Sequence, residues 1–145
     1  LKTFVSADMR QKIYDVGGIT IIDDCYNASP ESMRAAIDVL ISMAAKRHAR
    51  PAALLGDMLE LGEMSAQLHA GVAEYITKNA DCAFLYGAEM ANCREALERS
   101  GFEVHHSTDK AALTAELLSW LRPGDIALFK GSRGMRMEEI AEKVK

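Results

Sequence analysis

Two short strand-like runs, QKIYDV and ITIID, flank Gly17-Gly18. Paired glycines between such runs predict a tight hairpin, because both central positions accept positive φ. After Asp24 the period changes. Met33, Ala36, Ile37, Leu40, Ile41 and Ala44 recur at helical spacing. Ser29 is placed to cap that helix, and Pro30 fits its first turn, where no backbone N–H is needed. AALLGD is the next apolar run and ends at Asp57. A polar loop then leads to a helix from Ser65 with Leu68, Val72, Tyr75 and Ile76 as its stripe. CAFLYG predicts a buried strand. The helix after it turns Met90, Cys93 and Leu97 inward, runs to about Ser100 and stops at Gly101. FEVHH predicts a shorter strand. A helix follows from about Asp109, with Leu113, Leu117, Trp120 and Leu121 on one face and Pro123-Gly124 as its end. DIALFKG is the last strand, and MRMEEIAEKVK closes the chain as a helix with Met137, Ile140, Ala141 and Val144 inward.

Regular alternation of strand and helix predicts an α/β fold: a three-layer, Rossmann-like domain with a mostly parallel sheet and an antiparallel N-terminal edge hairpin. Neither an internal repeat nor a linker-like stretch interrupts residues 1–145, so a single domain is expected. Ligands of such sheets gather at the carboxyl ends of the strands.

Composition narrows the classes. The 145 residues are 49% hydrophobic and 26% charged, with a formal net charge of -4. That balance fits an ordinary globular domain and argues against binding nucleic acid, which needs a basic face. No apolar run approaches the roughly 20 residues that span a bilayer. The opening LKTFVSADMR lacks the apolar core of a signal peptide, so a cytoplasmic location is expected. Three cysteines without CxxC spacing suggest reduced thiols rather than a disulfide framework or zinc site. The four histidines show no ligand spacing, and no metal site is expected. The first residue is Leu1, which suggests a piece of a longer protein that carries part of an active site.

Three stretches concentrate polar groups where strands end. IIDDCYNASPESM places Asp23, Asp24, Tyr26 and Asn27 between a strand and a helix. An acid after a strand often just forms a turn or cap. That plain explanation is favoured for Asp57 alone, but function is favoured for Asp24, Tyr26 and Asn27 together. FKGSRGM sets Lys130, Ser132 and Arg133 among glycines directly before a helix, an arrangement that offers N–H groups, a hydroxyl and cations to an anion. A flexible glycine turn with solvated cations is the alternative there. LGDMLELGEMSAQLH carries Asp57, Glu60 and Glu63, which face either a metal, a ribose or only water. Ser65 reads as a cap, and His69, one residue past the apolar stripe, suits a structural hydrogen bond better than catalysis. GxGxxG, GxxxxGK[ST] and GxSxG are all absent. The chain therefore has no dinucleotide fingerprint, no phosphate loop of its own and no serine elbow.

DDCYNASPESMRAAIDVL, LGDMLELGEMSAQLH and FKGSRGMRMEE together resemble the three signature stretches of the C-terminal domain of Mur ligases, in the family's order, from about Val16 onward. The resemblance is strongest to the branch that adds D-alanyl-D-alanine to UDP-N-acetylmuramoyl-tripeptide in bacterial peptidoglycan synthesis. It implies that ATP, with magnesium, phosphorylates the tripeptide's terminal carboxylate and that the dipeptide amine attacks the acyl phosphate. It also implies missing N-terminal and central domains as partners, the central one holding the phosphate loop, ATP and magnesium. By the same resemblance Asp24, Tyr26 and Asn27 face the nucleotide, and Lys130, Ser132 and Arg133 face the substrates. Asp57 and His69 fall in the middle motif, and no catalytic residue is assigned to this domain. Ser29 stands where the family more often has asparagine; both cap helices. The isolated domain is expected to be inactive. A looser likeness is to a signalling receiver, with Asp57 as phospho-acceptor, Lys130 as its lysine, and Ser107 or Thr108 as a switch. The position of Asp57 one strand early and the glycine after Lys130 count against it. A non-enzymatic interaction module is a third class.

Overall fold

The computed structural model describes residues 11–145. The segment LKTFVSADMR, which bears on the signal-peptide expectation, lies outside the described residues. Six strands form one sheet: β1 (Lys12–Val16), β2 (Ile19–Asp24), β3 (Pro51–Gly56), β4 (Cys82–Tyr86), β5 (Val104–Ser107) and β6 (Ile126–Lys130). Their order is β1-β2-β6-β3-β4-β5. The β1–β2 pair is antiparallel and every other pair is parallel. Gly17 and Gly18 turn the hairpin with φ of 56° and 86°, the conformation that glycine enters without a Cβ clash.

Side chains alternate across the strands and divide the core in two. On one face Ile22, Ala53, Leu55, Leu85 and Leu128 meet α1 (Pro30–Arg47), α2 (Ser65–Ile76) and α3 (Ala91–Arg99). On the other, Ile21, Leu54, Phe84, Ala127 and Phe129 meet α4 (Lys110–Trp120) and α5 (Glu138–Val144). All of β3 is buried, as befits a parallel strand covered on both sides. The expected three-layer, Rossmann-like architecture with its antiparallel edge hairpin is the one observed.

Local side-chain caps set the starts of α1 and α4. Ser29 Oγ accepts the Ser32 N–H at 3.1 Å, and Ser32 Oγ accepts the Ser29 N–H at 2.9 Å, a reciprocal capping box. Asp109 caps α4 through Ala111 N–H at 3.0 Å. Two expectations need correction. Ser65 is no cap: it opens α2 inside the helix, and its hydroxyl donates to Glu89 at 2.5 Å instead. The closing helix starts later than MRMEEIAEKVK suggests. A 3-10 turn, Arg133–Met135, and Arg136 in the left-handed region (φ 49°) precede α5. Cys25, Cys82 and Cys93 are free thiols, all buried.

Candidate functional site

Parallel pairing of β2 with β6 sets Asp24 opposite Lys130, at the carboxyl edge of the sheet. The Lys130 side chain is only 3% exposed, and its ammonium lies 3.2 Å from Asp24 Oδ2. The same ammonium donates to the Asn27 carbonyl at 2.9 Å. A charge so far from water is tolerable because it is paired and hydrogen-bonded. Gln11 donates to Asp24 Oδ2 at 3.4 Å from the start of β1. A groove of about 380 Å³ opens here, lined by Gln11, Asp24, Ser32, Ala36, Val39 and Lys130. Tyr26 and Asn27 follow on an exposed turn, with Tyr26 49% exposed.

Arg133 reaches the same corner from the turn after β6. Its guanidinium donates to the Cys25 carbonyl at 3.4 Å and forms an ion pair with Glu138. The second oxygen of that carboxylate, Glu138 Oε1, is buried without a hydrogen-bond partner. Asp24, Asn27, Lys130 and Arg133 are therefore one constellation, with Tyr26 beside it.

Three N–H groups of the glycine loop region are engaged within the protein. Ser132 N–H donates to the Asp57 carbonyl at 3.0 Å, Met135 N–H to Ser132 and Arg136 N–H to Arg133. These donors are spent on closing the turn. The Ser132 hydroxyl accepts the Leu59 N–H at 2.8 Å, which ties the loop after β6 to the loop after β3. A Cβ on Gly131 would stand 3.0 Å from Gly56 Cα and 2.8 Å from Met137 Cγ. The two strand ends are in contact there.

Asp57 and His69 lie in that second junction. Asp57 is buried, and its carboxylate accepts N–H groups from Met90 (2.9 Å) and Glu89 (3.2 Å) at the start of α3. His69 is fully buried on the inner face of α2, within the stripe rather than beside it. Its Nε2 accepts the Met58 N–H at 2.9 Å. The ring proton therefore sits on Nδ1, which donates to the Ser65 carbonyl at 2.7 Å. Glu60 and Glu63 are exposed on the loop between.

Burial pushes the Asp57 carboxyl up, against the opposing pull of the two backbone N–H groups. A raised carboxyl holds its proton more readily folded than unfolded. Its contribution to stability is full below the ordinary aspartate range and is lost as pH rises through the folded value. Asp57→Asn removes that titration, so its urea-unfolding free energy should vary less than wild type across the mildly acidic range. At neutral pH the amide also leaves one N–H without an acceptor, at about 1–3 kcal/mol.

Several residues at the site are not evident in the sequence. Gln11, Glu89 and Glu138 carry no local pattern. Lys110 does carry one: a cation in the first turn of α4 opposes the helix dipole. Its ammonium instead donates to the carbonyls of Met135 (2.8 Å) and Arg136 (3.2 Å) and pairs with Glu139 at 2.7 Å. It also lies 4.9 Å above the Tyr86 ring. Lys110 thus anchors the turn that presents Arg133.

Comparison with known proteins adds the family context. Residues 9–133 match the family described as Mur ligase, glutamate ligase domain. The UDP-N-acetylmuramoyl-tripeptide–D-alanyl-D-alanine ligase of Bacillus subtilis is 39% identical over 129 residues, covering 86% of this chain and 28% of that protein. The ligase of the same name from Haemophilus influenzae is 36% identical over 134 residues, covering 88% and 27%. A MurF ligase from Thermotoga maritima, solved in complex with ADP, superposes with a TM-score of 0.77 at 27% identity. That match covers 99% of this chain and 31% of the other. A MurF from Acinetobacter baumannii reaches 0.84 at 24% identity, over 99% of this chain and 31% of its own, a likeness of fold. The chain spans less than a third of the length of these proteins. Among the described residues, no helix is long and apolar enough to cross a membrane.

Proposed function

Because the chain belongs to the Mur ligase family through its glutamate ligase domain, we propose that residues 1–145 are the C-terminal domain of a cytoplasmic ligase joining D-alanyl-D-alanine to UDP-N-acetylmuramoyl-tripeptide. The observation that carries the site assignment is the convergence at one corner of the first and third signature stretches, joined through Lys130, Asn27 and Asp24. ATP, as substrate, supplies the phosphoryl group that converts the tripeptide carboxylate into an acyl phosphate. This domain contributes a wall that closes over reactants bound to the N-terminal and central domains. Excluding water and fixing the attack geometry are its share of the work.

The residues present fit a nucleoside better than a metal. Asp24 offers an acceptor at a groove, and the half-exposed Tyr26 lies on the turn that follows it. Among the described residues at this edge, no carboxylate pair stands ready for magnesium: Asp24 already faces a cation, and both Asp57 oxygens accept backbone N–H groups. Magnesium is assigned to the rest of the enzyme. Lys130 holds the turn that carries Tyr26 and Asn27. Arg133, 52% exposed, is the cation able to swing toward developing negative charge. Ser132, Asp57 and His69 act by positioning this loop. The receiver-like alternative gains no support from the comparisons, and the buried Asp57 carboxylate, engaged by two N–H groups, is poorly placed to accept a phosphoryl group. Nothing in the comparisons supports a non-enzymatic interaction module either.

Titration of the isotope-labelled chain with Mg-ATP tests the assignment. Amide shifts are expected at Asp24, Tyr26, Asn27 and residues 130–133, without ATP turnover. Saturable shifts confined to another edge of the sheet would remove the nucleotide role from these residues.

A further inference from the structure

Where β4 and β5 begin, at the sheet edge away from the strand-end loops, three donor types converge that the ligase chemistry does not use. Parallel pairing sets Phe84 against His105. Two residues earlier in each segment, Cys82 opens β4 and Glu103 stands just before β5, on the same side of the sheet as His105 and α4. The donor atoms of Cys82, Glu103 and His105 all lie within 4.8 Å of one another. His105 Nε2 is 3.3 Å from Glu103 Oε2. That matches two ligands of one tetrahedral ion, whose bonds of roughly 2.0 Å place them about 3.3 Å apart.

The surroundings hold the imidazole in a ligating pose. Its other nitrogen, Nδ1, is 2.9 Å from Glu116 on α4. A carboxylate on the far nitrogen is the usual partner of a metal-bound histidine, because it fixes the tautomer and aims the free lone pair. The ring also stacks on Phe84 at 4.9 Å with an interplanar angle of 9°. Cys82 is fully buried, whereas the His105 and Glu103 side chains are 29% and 55% exposed. An ion can therefore enter from solvent and reach a sulfur held at the back. Burial and the facing Glu103 carboxylate push the Cys82 thiol up, and Arg50, a cation that opposes them, is committed elsewhere: it chelates Asp125 at 3.0 and 2.7 Å and lies 3.5 Å over Trp120.

We propose that Cys82, Glu103 and His105 form a binding site for a zinc-class divalent ion, with a water as fourth ligand. A mixed sulfur, nitrogen and oxygen set suits zinc and disfavours magnesium and calcium, which take oxygen ligands. On binding, the metal–sulfur bond forms as the Cys82 S–H bond breaks, and the proton leaves to solvent. His105 coordinates through unprotonated Nε2 and keeps its proton on Nδ1, toward Glu116. No oxidation state changes. The ion would join β5, the outer strand, to β4 and, through Glu116, to α4.

The test is zinc and cobalt titration of the untagged, chelator-stripped chain near neutral pH. One ion per chain is expected, with Kd on the order of micromolar or tighter and proton release on binding. Cobalt should show thiolate charge-transfer absorption that Cys82→Ser abolishes. Zinc at a hundredfold excess over Kd should raise Tm by roughly 5 °C or more. Glu103→Gln changes an exposed side chain and His105→Gln a partly exposed one, and each should weaken zinc at least tenfold while urea unfolding checks that the variant is folded; Glu116→Gln should weaken it about 10- to 100-fold. No saturable binding below about 100 µM in the wild-type chain overturns the proposal. So does binding that is unchanged in Glu103→Gln and His105→Gln.

Discussion

Gly87→Ala is expected to cost the fold about 3–5 kcal/mol, enough to unfold much of the population at moderate urea. Gly87 sits just past β4 with φ of 117°, a conformation strained for any residue with a Cβ. The new Cβ would also stand 2.4 Å from the Asp57 carboxylate. That carboxylate cannot swing aside without leaving the Glu89 and Met90 N–H groups unsatisfied. Gly62 and Gly101 also have positive φ, but no atom lies within 4 Å of their missing Cβ. Alanine at either should cost only about 1 kcal/mol. Equilibrium urea unfolding of the three variants separates backbone strain from collision. In a Gly87→Ala/Asp57→Ala pair the collision disappears, so the double variant should be more stable than the two single losses summed. Additive losses would show that the carboxylate is not the obstacle.

Lys130→Met should remove both stability and function. The substitution keeps most of the volume but strips the cation from Asp24 and the donor from the Asn27 carbonyl. Asp24 retains access to water, so the stability loss is about 2–3 kcal/mol, less than the 3–5 typical of a fully buried broken pair. Asp24→Asn/Lys130→Met removes both charges and should recover most of that loss. Nucleotide-dependent shifts should be lost in the single and the double variant alike, because the turn carrying Tyr26 and Asn27 has lost its tether. In the proposed full-length ligase, kcat/KM should fall by two orders of magnitude or more. Retained activity with lowered stability would restrict Lys130 to a structural role.

Local chemistry made much of this molecule legible in advance. Gly17-Gly18, Ser29-Pro30 and Asp109 each fix the backbone through their own neighbours, so the hairpin and two helix starts follow from a few consecutive residues. The helical stripe of α1 was equally clear, since Met33, Ala36, Ile37, Leu40 and Ala44 are its buried residues. The rest depends on distant partners. Ser65 looks like a cap until Glu89 is packed against it. Gly87 looks like any turn glycine until Asp57 arrives from a different strand. The late start of α5 follows from Lys110, 25 residues earlier than Met135, which binds the carbonyls of the preceding turn. At the site, the strand-end pattern located Asp24 and Lys130, but only the β2–β6 pairing made them an ion pair.

The position of β6 has a consequence for how this chain is made. Among the described residues, the hairpin half of the sheet and the β3-β4-β5 half share no strand pairing except through β6, the last of the six strands in chain order. Until residues 126–130 leave the ribosome, the two halves have facing edges and nothing between them. The nascent chain must hold those edges apart from each other and from neighbouring chains. Closure then comes as one late insertion, joining β2 to a strand more than 100 residues downstream, the kind of long-range contact that slows folding. The same final insertion brings Lys130 to Asp24.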